Sequence, residues 1–444
     1  MFKTATKTIA KIAWRNVTRN WRHSLASSLA ILAGFTAVAL FDGFIRDIVR
    51  VNEEGFSLRG MYGDVLIQRK DAQFKLVEDS FAYSLTKHEQ EVVEALLRSD
   101  PDFDIRVRFL EVKGMIANGR NSVIFIGSSM DVKEGREMRQ DMWAWNTLAG
   151  TPLDSVSETN SFLVATGLGQ MLDCTADRDA SRVMLRTGGY IAEERPFKCL
   201  RPSLQLSAST EAGQVNALDL TVAGIVDGGF REQDKRWVIL PLPLAQKLLD
   251  TDKITAMAIR LKNKKLVPEF IRRLKEQTAA QGLDLDIMRW EDHQVGALMR
   301  GSLGILNSFK HLFMVIVVII CMLSVSNTMM KSVTERIREI GVLRSFGFLR
   351  RDITLMFTLE GLFLSMISCI GGVLATIVFS FAVNHSGLTY KAGILSSPIF
   401  LTVGLNPSVW LINTCWLSLL AAWSAWFCAR KASKMVVADA MRHV

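Results

Sequence analysis

Four stretches of this chain are apolar for long enough to cross a bilayer as helices, and that constrains everything else it can fold into. They cover residues 25–44, 312–330, 355–383 and 409–427, each close to or above the roughly 18–20 residues that a spanning helix needs. Inside hydrocarbon the backbone must satisfy its own polar groups, which a helix does within one segment. The first stretch also contains Ala37-Val38-Ala39, a small-x-small pattern suited to signal-peptide cleavage. Its basic lead-in over residues 1–24 and its own length favour a retained helix instead.

Charge sets the expected orientation. Residues 1–23, 331–352 and 429–444 together hold 16 basic and 4 acidic residues, more than the whole chain's net charge of +9, so the remainder is net acidic. Cations gathered beside spans on one side mark that side as cytoplasmic, which puts both termini inside and argues against a nucleic-acid partner. Lys3, Lys7, Lys11, Arg15 and Arg19 recur every fourth residue, with Ile9, Ile12, Val17 and Trp21 between them. That pattern predicts an amphipathic helix on the membrane surface, its apolar side among lipid headgroups.

The expected fold class is an α-helical membrane protein with four transmembrane helices and a large extracytoplasmic α+β domain between helices 1 and 2. Its segments are a basic amphipathic helix over 1–24, spans as given above, the external domain over 45–305, a cytoplasmic loop over 331–352, a short external loop over 384–408 and a cytoplasmic tail over 428–444. Within the domain, Asp64–Gln68, Ser122–Ile126, Leu218–Val226 and Trp237–Leu240 read as strands. Thr86–Arg98 opens with a threonine and Glu89 three residues on, a capping-box start. Leu244–Leu249 and Pro268–Ala279 are further helical stretches. The sequence alone gives no topology for these pieces.

Chemistry-bearing motifs are missing. The sequence has no G-x-x-x-x-G-K-[ST] to cradle phosphates, no paired histidines or Cys-x-x-Cys for zinc and no G-x-S-x-G. No metal, cofactor or catalytic residue is therefore expected on it. Glu53-Glu54 and Glu193-Glu194 read as solvated surface. Cys321, Cys369, Cys415 and Cys428 fall in apolar segments, where cysteine is a small core residue. Cys174 and Cys199 fall in the external domain, where an oxidising compartment would allow a disulfide between them.

Two acids sit at unusual depths. Asp42 lies near the outer end of the first span, with Arg46 one turn on as a snorkelling partner. Glu360 lies about one turn inside the third, where an ionisable group is a functional candidate. In that third span Gly361, Ser365, Ser368, Gly372 and Thr376 follow a small-xxx-small spacing, which allows close helix contact in lipid.

The most informative segment is Ser332–Gly347. Val333, Ile337, Ile340 and Leu343 recur at three- and four-residue steps, predicting one amphipathic helix. Glu335 and Glu339 lie early and Arg344 late, complementing the helix dipole, and Gly347 is placed to end it. Such a helix suits either docking into a partner's groove or lying on the membrane surface.

Glu335-Arg336-Ile337-Arg338-Glu339-Ile340-Gly341-Val342-Leu343-Arg344-Ser345-Phe346-Gly347 resembles the recurring E-R-x-R-E-I-G-x-L-R-x-x-G pattern of the MacB/FtsX/LolE superfamily of ABC permeases. Ala13-Trp14-Arg15-Asn16, Val222–Val226 and Ala429–Ala432 with Asp439–Arg442 also look like family segments, although Val436-Val437-Ala438 replaces the proline usual near the end. Asp42-Gly43 through Gly63–Gln68 looks like the lipoprotein-releasing branch. The resemblance implies a permease of the bacterial inner membrane. It would pair with a second permease, as homodimer or heterodimer, over a separate ATPase subunit that holds ATP and Mg. The loop would be its coupling helix, with Arg336, Arg338 and Arg344 facing the ATPase and Ile337, Ile340 and Leu343 as anchors. The cargo implied is a lipoprotein or lipid. Alternatives are efflux of peptides or antibiotics with a periplasmic adaptor, and a scaffold that regulates cell-wall hydrolases.

Overall fold

The computed structural model describes residues 2–19, 21–140, 147–156, 159–176, 196–229, 231–390 and 399–432. Glu193-Glu194 and the Asp439–Arg442 motif lie outside them. The chain divides into two compact units, one of residues 49–302 with 389–400 and one holding the rest. Thr389-Tyr390 and Ile399-Phe400, within the predicted external loop over 384–408, belong to the large unit.

The chain opens with α1 (Phe2–Arg19) and α2 (Trp21–Glu54). In the large unit follow β1 (Val65–Arg69), α3 (Ala72–Lys75), α4 (Lys87–Ser99), β2 (Phe103–Ala117), β3 (Ser122–Met130) and α5 (Val132–Arg139). Next come β4 (Thr147–Gly150), β5 (Ser161–Ala165), α6 (Thr166–Met171), β6 (Cys174–Ala176), β7 (Phe197–Cys199), β8 (Ser203–Ser209) and β9 (Val215–Val226). The unit continues with α7 (Arg231–Asp234), β10 (Trp237–Pro241), α8 (Leu242–Leu249), β11 (Ala256–Leu261), α9 (Val267–Ala280) and β12 (Leu285–Arg289).

Two substructures share the long strand β2. The order β12-β1-β11-β2 is antiparallel throughout, and its crossovers β1–α4–β2 and β11–α9–β12 form a split β-α-β arrangement. Between β2 and β11 the chain inserts a second substructure, in which β2, β3, β10, β5, β9 and β8 pair into a closed ring. Closure removes edges that would otherwise seek partners. Phe125, Phe162, Leu206 and Leu240 are among its fully buried residues. Gly114 sits where β2 meets β8; a Cβ there would come within 2.1 Å of the Ser207 carbonyl oxygen. The capping box at Thr86 is present: its hydroxyl accepts from the Glu89 N–H and the Glu89 carboxylate from the Thr86 N–H. Cys174 and Cys199 face each other across β6 and β7 and are joined by a disulfide.

The other unit is built from α1, α2 and four later helices: α10 (Gln294–Glu335), α11 (Ile337–Ser345), α12 (Arg350–His385) and, after the small ladder β13 (Thr389–Tyr390) and β14 (Ile399–Phe400) of the large unit, α13 (Pro407–Ala432). Among the described residues four helices are long and apolar enough to span a membrane: α2, α10, α12 and α13. At 42 residues α10 is about 63 Å long, roughly twice the hydrocarbon thickness. The bundle core holds Ile31, Phe35, Val317, Val325, Leu364 and Ala425. All five small residues of the predicted α12 stripe are buried. A Cβ on Gly372 would lie 2.7 Å from the Phe35 ring on α2. The stripe therefore serves close packing.

Candidate functional site

The predicted single amphipathic helix over Ser332–Gly347 is two helices. α10 continues to Glu335, where the sequence reading had placed an early turn, and the backbone breaks at Arg336 (φ −112°, ψ 18°) before α11 begins. The break turns the Arg336 side chain inward. The far end is sharply finished: Phe348 N–H donates to the Leu343 carbonyl, Gly347 N–H to that of Arg344, and Gly347 takes φ +95°. This pair of bonds is a Schellman stop, which glycine adopts without strain.

At the break three helices meet around one carboxylate. Glu360 of α12 is buried, with 4% of its surface exposed. It accepts from the Asn16 side-chain amide of α1 at 2.6 Å and from Arg336 Nη1 at 3.0 and 3.3 Å. Arg336 Nε donates to Glu339 at 2.8 Å, and Arg19 lies 3.7 Å from the same carboxylate. The Arg336 guanidinium also stands over the Phe357 ring, 5.6 Å from its centroid. Burial opposes the Arg336 charge, but the nearby carboxylates of Glu360 and Glu339 outweigh it and raise its pKa above the ordinary value. Arg336 therefore keeps its charge in this setting.

Apolar packing surrounds the knot. Ile9 and Ala13 of α1, Val333 of α10, Ile340 of α11, and Ile353, Met356 and Phe357 of α12 form one buried cluster, with Leu343 and Phe348 against it. The Ile9–Ala13–Val17 face of α1 is buried in protein, which corrects the expected contact with headgroups. Trp14 stands edge-on to Phe363 at 5.5 Å.

Several expected roles change with this geometry. Arg336 and Ile340 point into the protein, so neither is presented to a partner, and Gly341 is buried with them. Ile337 and Arg344 are half-buried, while Arg338, Glu339 and Gly347 are exposed. Asp42 pairs with Lys310 at 3.2 Å in place of Arg46. Nearby, Thr402 donates to Asp47, and the Gly404 N–H to the Gly43 carbonyl at 3.1 Å. Sequence reasoning missed Asn16, although a polar residue on the buried side of an amphipathic helix was the available signal. It also missed Val342, Phe346 and Leu349, which leave an apolar tip at the end of α11, with Phe346 79% exposed. Among the described residues no cluster of His, Cys, Asp or Glu could hold a metal.

Residues 311–437 match the FtsX-like permease C-terminal family. That segment contains the knot's Arg336, Glu339 and Glu360. An uncharacterised ABC transporter permease of Methanocaldococcus jannaschii is 23% identical over 222 residues, 50% of this chain and 54% of the relative. The macrolide export ATP-binding/permease protein MacB of Bdellovibrio bacteriovorus is 21% identical over 242 residues, 52% of this chain and 35% of that protein. The chain thus spans between about a third and about half of these curated relatives. Together these matches support the MacB/FtsX/LolE superfamily of ABC permeases, and none supports its lipoprotein-releasing branch. Solved structures with partial likeness are the extracellular domain of the noncanonic ABC-type transporter YknZ from Gram-positive bacteria (10% identity, 51% of this chain and 98% of that one, TM-score 0.31). Another is the periplasmic region of MacB from Actinobacillus actinomycetemcomitans (12%, 52% and 91%, TM-score 0.32). Both scores are too low to assign a fold.

Proposed function

We propose that this chain is the non-catalytic membrane subunit of an ABC transporter, and that α11 receives motion from a separate ATPase subunit carrying ATP and Mg. The observation that supports this reading most is the Glu360 knot. It ties Arg336, the residue just before α11, to a spanning helix and, through Glu360, to the amino-terminal helix, so that a push on α11 moves all three together. The docking surface is the exposed tip of Val342, Phe346 and Leu349, flanked by Arg338 and Arg350. Such a tip fits an apolar groove with an acidic rim, where aromatic residues make the strongest anchors. Both termini and α11 are cytoplasmic on this reading, and the large unit lies outside.

Phe346→Asp should abolish co-purification of the ATPase while leaving the permease's own thermal unfolding unchanged, since the side chain touches little of its own fold. Retained ATPase binding by the folded variant would refute the docking surface.

For cargo, the resemblance over Asp42–Gln68 favours lipoprotein release from the inner membrane. The relative named for macrolide export favours outward transport of small amphiphiles as the second reading. Depletion should leave lipoproteins in the inner membrane; normal sorting with new drug sensitivity would select export instead.

A further inference from the structure

A buried titratable group that the knot does not use sits where α10 begins, within the large unit. His293 is 7% exposed and immediately precedes the first residue of α10. It ends a tight turn whose Trp290 stacks on Phe56, with ring centroids 5.3 Å apart. The first N–H groups of a helix have no partner within it. One of them, from Val295, donates to His293 Nδ1 at 3.1 Å. A ring nitrogen that accepts carries no proton, so the proton is on Nε2. Nε2 therefore donates to Oε1 of Gln68 on β1, at 2.8 Å. The neutral ring thus ties the first turn of α10 to the sheet of the same unit.

We infer that His293 is an acid-sensitive latch, whose protonation releases the first turn of α10 from β1 and so loosens the sheet's hold on that helix. The cation carries a proton on both ring nitrogens and cannot accept from Val295. It also sets a positive charge at a helix amino terminus, which the helix dipole opposes. Two charged groups act on the ring. Asp286 of β12, the cross-strand partner of Gln68, favours the cation, and Arg300 of α10 opposes it. From β1 the ring meets the neutral Gln68. In the turn, Glu291 is engaged by Arg289 at 2.7 Å and Asp292 is exposed. Burial is the largest influence and holds the pKa of His293 below its ordinary value of 6.5. Folding therefore favours the neutral ring. The latch stabilises fully above that ordinary value, and its contribution is lost as pH falls through the lower folded one.

The inference rests on the permease reading only for which compartment supplies the acid, and its test needs no ATPase. Hydrogen exchange of the full chain in lipid nanodiscs, corrected for the intrinsic effect of pH, is followed between about pH 8 and pH 5. Amides of residues 294–299 should exchange several-fold faster at the acid end, while those of α9 keep their protection. His293→Asn retains an acceptor for the Val295 N–H and cannot titrate, so its α10 amides should exchange alike across the range. Two charge variants move the midpoint while leaving both bonds of the ring in place, and they serve even where His293→Asn fails to fold. Asp286→Asn should shift the acid response to lower pH and Arg300→Gln to higher pH. No acid response in the unaltered chain, an undiminished one in His293→Asn, or a midpoint that either charge variant leaves unmoved would overturn the proposal. Failure here with intact Phe346-dependent ATPase binding would leave the permease reading standing.

Discussion

Glu360→Ala should destabilise the protein by about 3–5 kcal/mol and uncouple it from its ATPase, because it strands the Arg336 charge inside the bundle. Arg336 is bonded to Glu360 at 3.0 Å and to Glu339 at 2.8 Å, and its side chain is only 11% exposed, so water cannot take the place of the lost carboxylate. Asn16 loses its acceptor in the same step. Thermal unfolding in detergent measures the stability, and ATP hydrolysis by the reconstituted complex measures the coupling. The two effects separate in the double variant Glu360→Leu with Arg336→Met. Replacing a buried ion pair by apolar residues of similar volume is often neutral for stability, so the double variant should fold as well as the parent. It should remain uncoupled, since α1, α11 and α12 are no longer tied by directional bonds. A double variant that is both stable and fully coupled would reduce the knot to packing.

Gly361→Val acts on the next residue by a different cause. A Cβ at 361 would lie 2.7 Å from the Ala425 Cβ and 3.3 Å from the Ala421 carbonyl oxygen. Neither neighbour has a flexible end to swing aside, so α12 and α13 must separate. Overpacking of this kind costs about 1–3 kcal/mol, and the displaced segment carries Glu360, so coupling should fall along with stability. Gly301→Ala is the control. Open space surrounds that position, and an exposed helical glycine replaced by alanine should leave stability unchanged or slightly raised.

How much of this was legible beforehand follows from the range of each interaction. The four apolar helices, the Thr86 capping box and the glycine stop at 347 are local, set by residues a few positions apart, and sequence periodicity carries them. The break at Arg336 is not local. By its own pattern Ser332–Gly347 continues as one amphipathic helix, and only the carboxylate of Glu360, 24 residues further on, gives Arg336 a reason to turn inward. Asn16 is more distant still, 344 residues from the group it bonds. Arg336 and Ile340 turn inward for that reason, while Phe346 stays exposed. The domain's topology was hidden for a related reason. β2 serves two substructures, and its ladders with β11 and β8 join segments far apart in the chain, which strand propensity cannot register.

On the proposed reading α11 faces the compartment in which ATP is hydrolysed. A cysteine placed at Phe346, the most exposed residue of the tip, reports this directly when the free cysteines of the bundle are replaced. In intact cells a membrane-impermeant maleimide should leave position 346 unlabelled, and permeabilising the inner membrane should make it react fully. Labelling from outside in intact cells would contradict the account, since no cytoplasmic ATPase could then reach the helix.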